Sequence, residues 1–310
     1  MTVRLPIRLC GTGTYIPAHV LTNQYFADYL DTSNEWIVTR TGIRERRRAA
    51  SNECTSTLAA KAAQRALDDA KMSVDDIDAI ICATATGDCP FPATAAFLQA
   101  QLGAKDIPAF DIGAACAGFL YGTSVAAGLI TSGMYRRVLL VGAEALTRYA
   151  DPEDRSTVIL FGDAAGATIY EAAQQENQGI LYFDMGCDGT KAEYIWAPAG
   201  GSRLPTSETT LAERLQFLRM RGREVYKFAV TKMQDLIDNA LAVAGLTAGD
   251  LKLLIPHQSN FRIIESVRNR LALPPEKVAV NIDRFGNTSA ASVVMSLDEG
   301  RRSGLLQEGI

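Results

Sequence analysis

The chain repeats itself, and a duplicated sequence restricts a fold more than any single motif does. The stretch Ala66-Leu67, Ala70, Met72-Ser73, Asp76-Ile77, Ile80-Ile81 can be laid at a constant offset on Ala240-Leu241, Ala244, Leu246-Thr247, Asp250-Leu251, Leu254-Ile255. Each copy reads as the end of an amphipathic helix, a polar Ser/Thr-x-x-Asp link and a buried strand. Further on, Leu98 to Leu102 followed by Ala109 to Ile112 resembles Val267 to Leu271 followed by Ala279 to Ile282, again helix then strand. The pattern predicts an α/β protein of two related halves, residues 1–175 and 176–310.

The duplication has consequences for chemistry, because sites in α/β sheets form beyond the carboxyl ends of strands. Asp111-Ile112 leads into Gly113-Ala114-Ala115-Cys116-Ala117-Gly118 and then an apolar helical run from Phe119 to Ile130. A thiol in the first turn of a helix meets unpaired N–H groups and the positive end of the macrodipole, which favours the nucleophilic thiolate. At the like place in the second half, Asn281-Ile282 leads into Gly286-Asn287-Thr288-Ser289, and the loop after Leu254-Ile255 delivers His257. Cys116, His257 and Asn287 are therefore expected to converge. The only other histidine, His19, sits in a proline-containing loop and reads as a solvated surface residue.

Two chemistries use such a set. Histidine can act as base on the thiol while asparagine orients the ring. Alternatively both can donate hydrogen bonds to one substrate oxygen, stabilising an enolate formed by decarboxylation while the cysteine carries an acyl group. The residues alone leave this choice open.

Composition removes other classes. With 310 residues, 47% of them hydrophobic, the chain can build a sizeable core, yet no window approaches the ~18 apolar residues of a membrane span. Met1 to Cys10 carries two arginines and a proline without an apolar run, so no secretory leader is expected. The six cysteines are scattered without Cys-x-x-Cys pairing, which points to reduced thiols and a cytoplasmic protein. A net charge of −4 argues against global nucleic-acid binding, and Arg44-Glu45-Arg46-Arg47-Arg48 reads as a solvated face. No metal-ligand spacing or phosphate loop occurs, and Gly11-Thr12-Gly13 lacks the third glycine and helix of a dinucleotide fingerprint. Neither a metal nor a redox cofactor is expected.

Several segments together carry a resemblance that spans nearly the whole chain. They are Asp31-Thr32-Ser33-Asn34-Glu35-Trp36-Ile37-Val38-Thr39-Arg40-Thr41-Gly42-Ile43-Arg44, Ala114-Ala115-Cys116-Ala117-Gly118, Phe161-Gly162-Asp163-Ala164-Ala165-Gly166, Pro256-His257-Gln258-Ser259-Asn260 and Gly286-Asn287-Thr288-Ser289-Ala290-Ala291-Ser292. In this order they resemble β-ketoacyl-acyl-carrier-protein synthase III, the priming condensing enzyme of type II fatty-acid synthesis, in the thiolase-like superfamily.

The resemblance implies a thiolase-like α/β fold, with two duplicated halves in a five-layered αβαβα arrangement, and a homodimer. It implies that Cys116 takes an acyl group from acyl-CoA, a substrate rather than a cofactor. Malonyl on acyl carrier protein then loses CO2, and its carbanion attacks the acyl-enzyme. His257 and Asn287 match the pair that supports decarboxylation through hydrogen bonds to the malonyl thioester oxygen, and the Cys116 N–H matches one oxyanion donor. Trp36, Arg40 and Arg155 match CoA contacts, with an aromatic face for adenine and guanidinium groups for phosphate. Gly222, in the segment similar to the stretch before the tunnel-lining helix, belongs with them. Phe91, between Pro90 and Pro92, matches a residue that crosses the dimer interface and bounds the partner's acyl pocket. Lys227, Arg262 and Arg270 match or adjoin positive positions at the tunnel mouth that receive the acidic carrier protein.

One expected departure concerns the second half. The helix from about Ala290 to Ser303 is followed only by Gly304 to Ile310, whereas the duplication predicts two further strands there. The family normally continues with a strand, a glycine-rich loop that supplies the second oxyanion N–H, and a closing strand. Two other readings share these residues. One is a thiolase-fold acyltransferase or starter-unit ketosynthase of secondary metabolism; the other is a catalytically weakened carrier-protein-binding subunit.

Overall fold

A computed structural model describes residues 5–175 and 178–306. Its centre is a five-stranded sheet built from β1 (Ile7–Tyr15), β2 (Ala79–Ala83), β3 (Ala109–Ile112), β4 (Arg137–Ala145) and β5 (Asp163–Ala172), in the spatial order β1-β5-β4-β2-β3. β2 pairs parallel with β3 and β4, while β5 runs antiparallel to β1 and β4. The apolar run Ala79-Ile80-Ile81-Cys82-Ala83 is buried throughout, because helices cover both faces of the sheet.

Seven helices of eight residues or more organise the rest of the described residues: α1 (Asn34–Thr41), α2 (Thr55–Ala70), α3 (Thr94–Leu102), α4 (Gly118–Thr131), α5 (Gly222–Ala244), α6 (Phe261–Arg270) and α7 (Ala291–Arg302). On one face, α2 buries Leu58, Ala59, Ala62, Ala63, Ala66 and Leu67. Its approach to β1 is so close that a Cβ at Gly13 would lie 2.4 Å from the Ala62 carbonyl oxygen, which glycine alone permits. On the other face lie α4, from the first half, and α7, from the second. Phe119, Ala126, Ala127 and Ile130 of α4 share a core with Ala290 and Val294. The helices that follow the two site loops thus form the middle layer of the molecule.

The second half departs from the strands expected at Leu254–Ile255 and Ala279–Ile282. Among the described residues its sheet is reduced to one parallel bridge between Leu254 and Val278. Leu254 N–H donates to the Lys277 carbonyl at 2.8 Å, and Ala279 N–H to the Leu254 carbonyl at 2.9 Å. The next backbone donors are taken elsewhere: Asn281 and Ile282 N–H both donate to the Gln258 side-chain oxygen, and Ile282–Phe285 turns helical. The bridge lies between α7, where Gly300 faces Leu253, and α6, where Ile264 packs with Leu273 and Val278. α5 packs beside α6 but buries no residue fully.

The arginine run also differs from its reading as a solvated face. Glu45–Arg48 is a short strand paired with His19–Thr22, and Arg46 is completely buried. Its guanidinium donates to the Leu21 and Ile159 carbonyls and to Asn23 Oδ1, and lies 4.6 Å over the Phe26 ring. Three acceptors and an aromatic face replace water, so a charged residue becomes part of the core. His19 is exposed as expected, and all six cysteines are unpaired. No helix among the described residues is long and apolar enough to cross a membrane.

Candidate active site

Cys116 sits where strand turns to helix. β3 ends at Ile112, a tight turn spans Ala115–Ala117, and α4 begins at Gly118. Ala115 has φ +44°, a conformation costly for a residue with a Cβ, and this sharp bend presents the next side chain. Gly118 is wedged against Ala83 and Ala290, which brings the end of β2 and the Asn287 loop beside the thiol.

The Asn287 loop is stitched to the first half. Asn287 N–H donates to the Leu160 carbonyl at 2.8 Å, and Gly162 N–H donates to the Asn287 carbonyl at 3.0 Å. Two glycines allow this contact. A Cβ at Gly162 would lie 2.2 Å from the Phe285 carbonyl oxygen; Gly286, at φ +66°, would place one 2.8 Å from the Leu160 oxygen. Within the loop, Ser289 N–H donates to Asn287 Oδ1 at 2.9 Å. That bond fixes the amide's orientation and leaves its NH2 as the free donor.

His257 is held by a second network. Ser292 Oγ, at the start of α7, lies 2.6 Å from His257 Nδ1, and Gln258 N–H approaches the same oxygen at 3.4 Å. A serine hydroxyl that donates to Nδ1 leaves the imidazole proton on Nε2, the tautomer assigned to this ring. Nε2 is buried and has no partner among the described residues. The fully buried Gln258 side chain, bonded to the Pro256 and Ala279 carbonyls, clamps the loop that carries the ring.

Cys116, His257 and Asn287 line one cavity of about 870 Å³, which also receives Trp36, Arg40, Gly222, Lys227 and Arg262. Ser33 caps α1 through the Trp36 N–H, and Asn260 caps α6 while its amide donates to the Arg40 carbonyl. One residue therefore joins the two cationic rims. The Trp36 indole is flanked by two guanidinium groups, Arg40 at 5.1 Å and Arg155 at 4.7 Å from the ring centroid. Arg155 is not in the cavity wall itself and also pairs with Asp31. Phe91 lies outside the cavity and is 85% exposed. Arg270 lies outside as well; it is bonded to Asp238 and Gln234 of α5, so its charge is already matched.

Burial dominates the electrostatics and corrects the thiolate expectation. Desolvation pushes the Cys116 thiol up to about 11, against the lowering effect of Ser289 and the backbone, with the nearby Glu144 carboxyl raising it further. The same effect holds His257 down at about 4, so the ring is neutral at physiological pH. A free thiol and a neutral Nε2–H imidazole face the cavity together.

Three residues behind this site escaped the sequence reading: Gln258, Ser292 and Glu144. The first two lie in the segments that carried the resemblance, so only their roles were hidden. Glu144 had a signal of its own, an acid near the end of a strand that is apolar after Arg137, and it is completely buried. Among the described residues no cluster of side chains could hold a metal ion.

Known proteins resemble the chain over nearly its whole length. The family described as 3-oxoacyl-[acyl-carrier-protein (ACP)] synthase III matches residues 110–189, and its C-terminal counterpart matches residues 241–310. The chain is 47% identical to β-ketoacyl-[acyl-carrier-protein] synthase III of Caldanaerobacter subterraneus, covering 100% of this chain and 93% of that protein. It is also 47% identical to the enzyme of that name from Symbiobacterium thermophilum, over 98% of this chain and 92% of the relative. The crystal structure of the Thermus thermophilus synthase III superposes with a TM-score of 0.90 at 45% identity, covering 97% of this chain and 92% of that one. The fold is thereby the thiolase-like α/β fold expected, and the chain belongs to the β-ketoacyl-[acyl-carrier-protein] synthase III family.

Proposed function

We propose that this chain initiates fatty-acid synthesis by joining an acyl group, carried on Cys116, to malonyl-acyl-carrier protein in a decarboxylative Claisen condensation. One observation carries the assignment of roles: an imidazole whose buried Nε2 has no partner among the described residues shares a cavity with the Asn287 amide and the Cys116 thiol. An imidazole held near pKa 4 is a poor general base but a good neutral hydrogen-bond donor. That favours the second of the two chemistries open from sequence. His257 and Asn287 donate to the malonyl thioester oxygen as CO2 leaves, and the enolate charge settles on that oxygen. The carbanion then attacks the Cys116 thioester and releases the sulfur.

Acyl-CoA enters first. The indole of Trp36 offers a face to adenine, and Arg40 and Arg155 are placed to meet phosphate. Lys227 and Arg262 on the cavity wall supply positive charge for the acidic carrier protein. For Arg270 to join them it must leave Asp238. A homodimer is supported by β3, which ends the sheet with one edge unpaired among the described residues, and by Phe91 and Leu120, both well exposed. Six unpaired cysteines support a cytoplasmic location.

The test is an assay with acetyl-CoA and malonyl-acyl-carrier protein. A β-ketoacyl product with stoichiometric CO2 supports the proposal. Acyl transfer without CO2 release points instead to an acyltransferase, and binding of the carrier protein without turnover to a recognition subunit.

A further inference from the structure

The parallel bridge of the second half stops at a proline, one residue before His257. Leu254 N–H donates to the Lys277 carbonyl, and Ala279 N–H donates to the Leu254 carbonyl. Continued by two residues, this ladder would need a Pro256 N–H for the Ala279 carbonyl and a Pro256 carbonyl for the Asn281 N–H. Proline has no such donor. The Gln258 side chain takes its place. Its Nε2 donates to the Ala279 carbonyl at 3.0 Å and to the Pro256 carbonyl at 2.9 Å. Its Oε1 accepts from Asn281 N–H at 3.0 Å and from Ile282 N–H at 3.3 Å. A carboxamide has two donor hydrogens and two acceptor lone pairs, and all four are used. The network admits one orientation, because a flipped amide would set its NH2 against N–H groups and its oxygen against carbonyls.

The fully buried carboxamide thus stands between the two segments as an inserted peptide group. On one side it closes the loop whose apex is His257, since Pro256 and Gln258 flank that residue. On the other it holds the backbone that leads to Asn287. The Ile282–Phe285 turn starts at the bonded Ile282 and closes through Gly286 N–H to the Ile282 carbonyl at 2.9 Å. Ile282 is itself buried with Ile37, Ile43 and Ile159, so the turn is fixed in place. Asn287 follows Gly286 directly.

We infer that Gln258 is a positioning residue that sets the spacing between His257 and Asn287, the two donors assigned to decarboxylation. Ser292 governs which nitrogen the ring presents; Gln258 governs how far that ring stands from the Asn287 amide. None of its four side-chain bonds reaches the first half, where Cys116 is carried between β3 and α4. Two donors must meet one substrate oxygen, so decarboxylation depends on this spacing and acylation of Cys116 does not. The inference rests on the proposed condensation and deepens it, and its test therefore includes a readout that needs no substrate.

Two variants separate the roles. Gln258→Asn keeps the carboxamide on a shorter stem, so the span changes while the chemistry does not. Gln258→Met keeps the length without the bonds, and covers the case in which the shorter amide fails to fold. In each folded variant kcat for CO2 release from malonyl-acyl-carrier protein should fall about 100-fold, the scale of an ångström of misplacement. KM for the carrier protein and acylation by acetyl-CoA should stay unchanged. Hydrogen exchange of the substrate-free protein should show lost protection at residues 281–289, with the Cys116 turn unaffected. Unchanged CO2 release, an equal loss of both half-reactions, or unchanged exchange at residues 281–289 in a folded variant overturns the inference. If the unaltered protein releases no CO2, the proposed condensation fails and the exchange result alone decides the role of Gln258.

Discussion

The Ser292 hydroxyl lies 2.6 Å from Nδ1 of His257, and this contact decides which imidazole nitrogen faces the substrate cavity. Ser292→Ala removes the donor that holds the Nε2–H tautomer. Decarboxylation of malonyl-acyl-carrier protein should fall about 10-fold, the equivalent of one lost buried hydrogen bond, while acylation of Cys116 is retained. The chain has only two histidines, so nitrogen NMR of the imidazoles reads the tautomer directly, and Ser292→Thr should restore it.

Stability should depend on pH through the same ring. His257 is lowered from its ordinary 6.5 to about 4, so between those values the unfolded chain binds more protons than the folded one. Its contribution is fully present above pH 6.5 and is lost as the pH falls toward 4, with a magnitude on the order of 3 kcal/mol. Thermal melts of the protein should lose stability relative to His257→Gln as the pH falls from 6.5 toward 4, while the offset between the two stays constant above 6.5.

Gly286 combines φ +66° with a backbone contact that leaves no room for a side chain. Gly286→Ala should cost about 1–3 kcal/mol and loosen the pairing of Asn287 with Leu160 and Gly162. Denaturant titration measures the loss. Decarboxylation should suffer more than acylation, because the displaced group is the Asn287 amide.

The guanidinium pair around Trp36 makes a separate prediction. Trp36→Ala should raise KM for acyl-CoA about 10-fold, the scale of a desolvated stacking contact, with little change in kcat. A short thioester lacking the nucleotide should show no such difference between the two proteins.

The three site loops were legible from the repeat because strand-end position is written in the sequence by apolar runs and the small residues that follow them. Cys116, His257 and Asn287 share a cavity for that reason. What sequence hid was environment. The helix start at Gly118 was readable, but burial, which raises the thiol against the dipole, is a property of everything packed around it. Arg46 reads as a surface charge until Leu21, Asn23, Ile159 and Phe26 are assembled around it. The run Leu251–Ile255 has the composition of a strand, yet strands exist only where neighbours offer a ladder, and here one bridge forms before Gln258 takes the next donors.

The most direct measurement separates the two half-reactions in three variants. Intact-mass analysis after mixing with acetyl-CoA reports acylation, and labelled malonyl-acyl-carrier protein reports CO2 release. Cys116→Ala should lose the acyl adduct, whereas His257→Ala and Asn287→Ala should retain it and lose CO2 release by at least about 100-fold. Unchanged decarboxylation in the His257 and Asn287 variants, or an acyl adduct that persists without Cys116, would contradict the account.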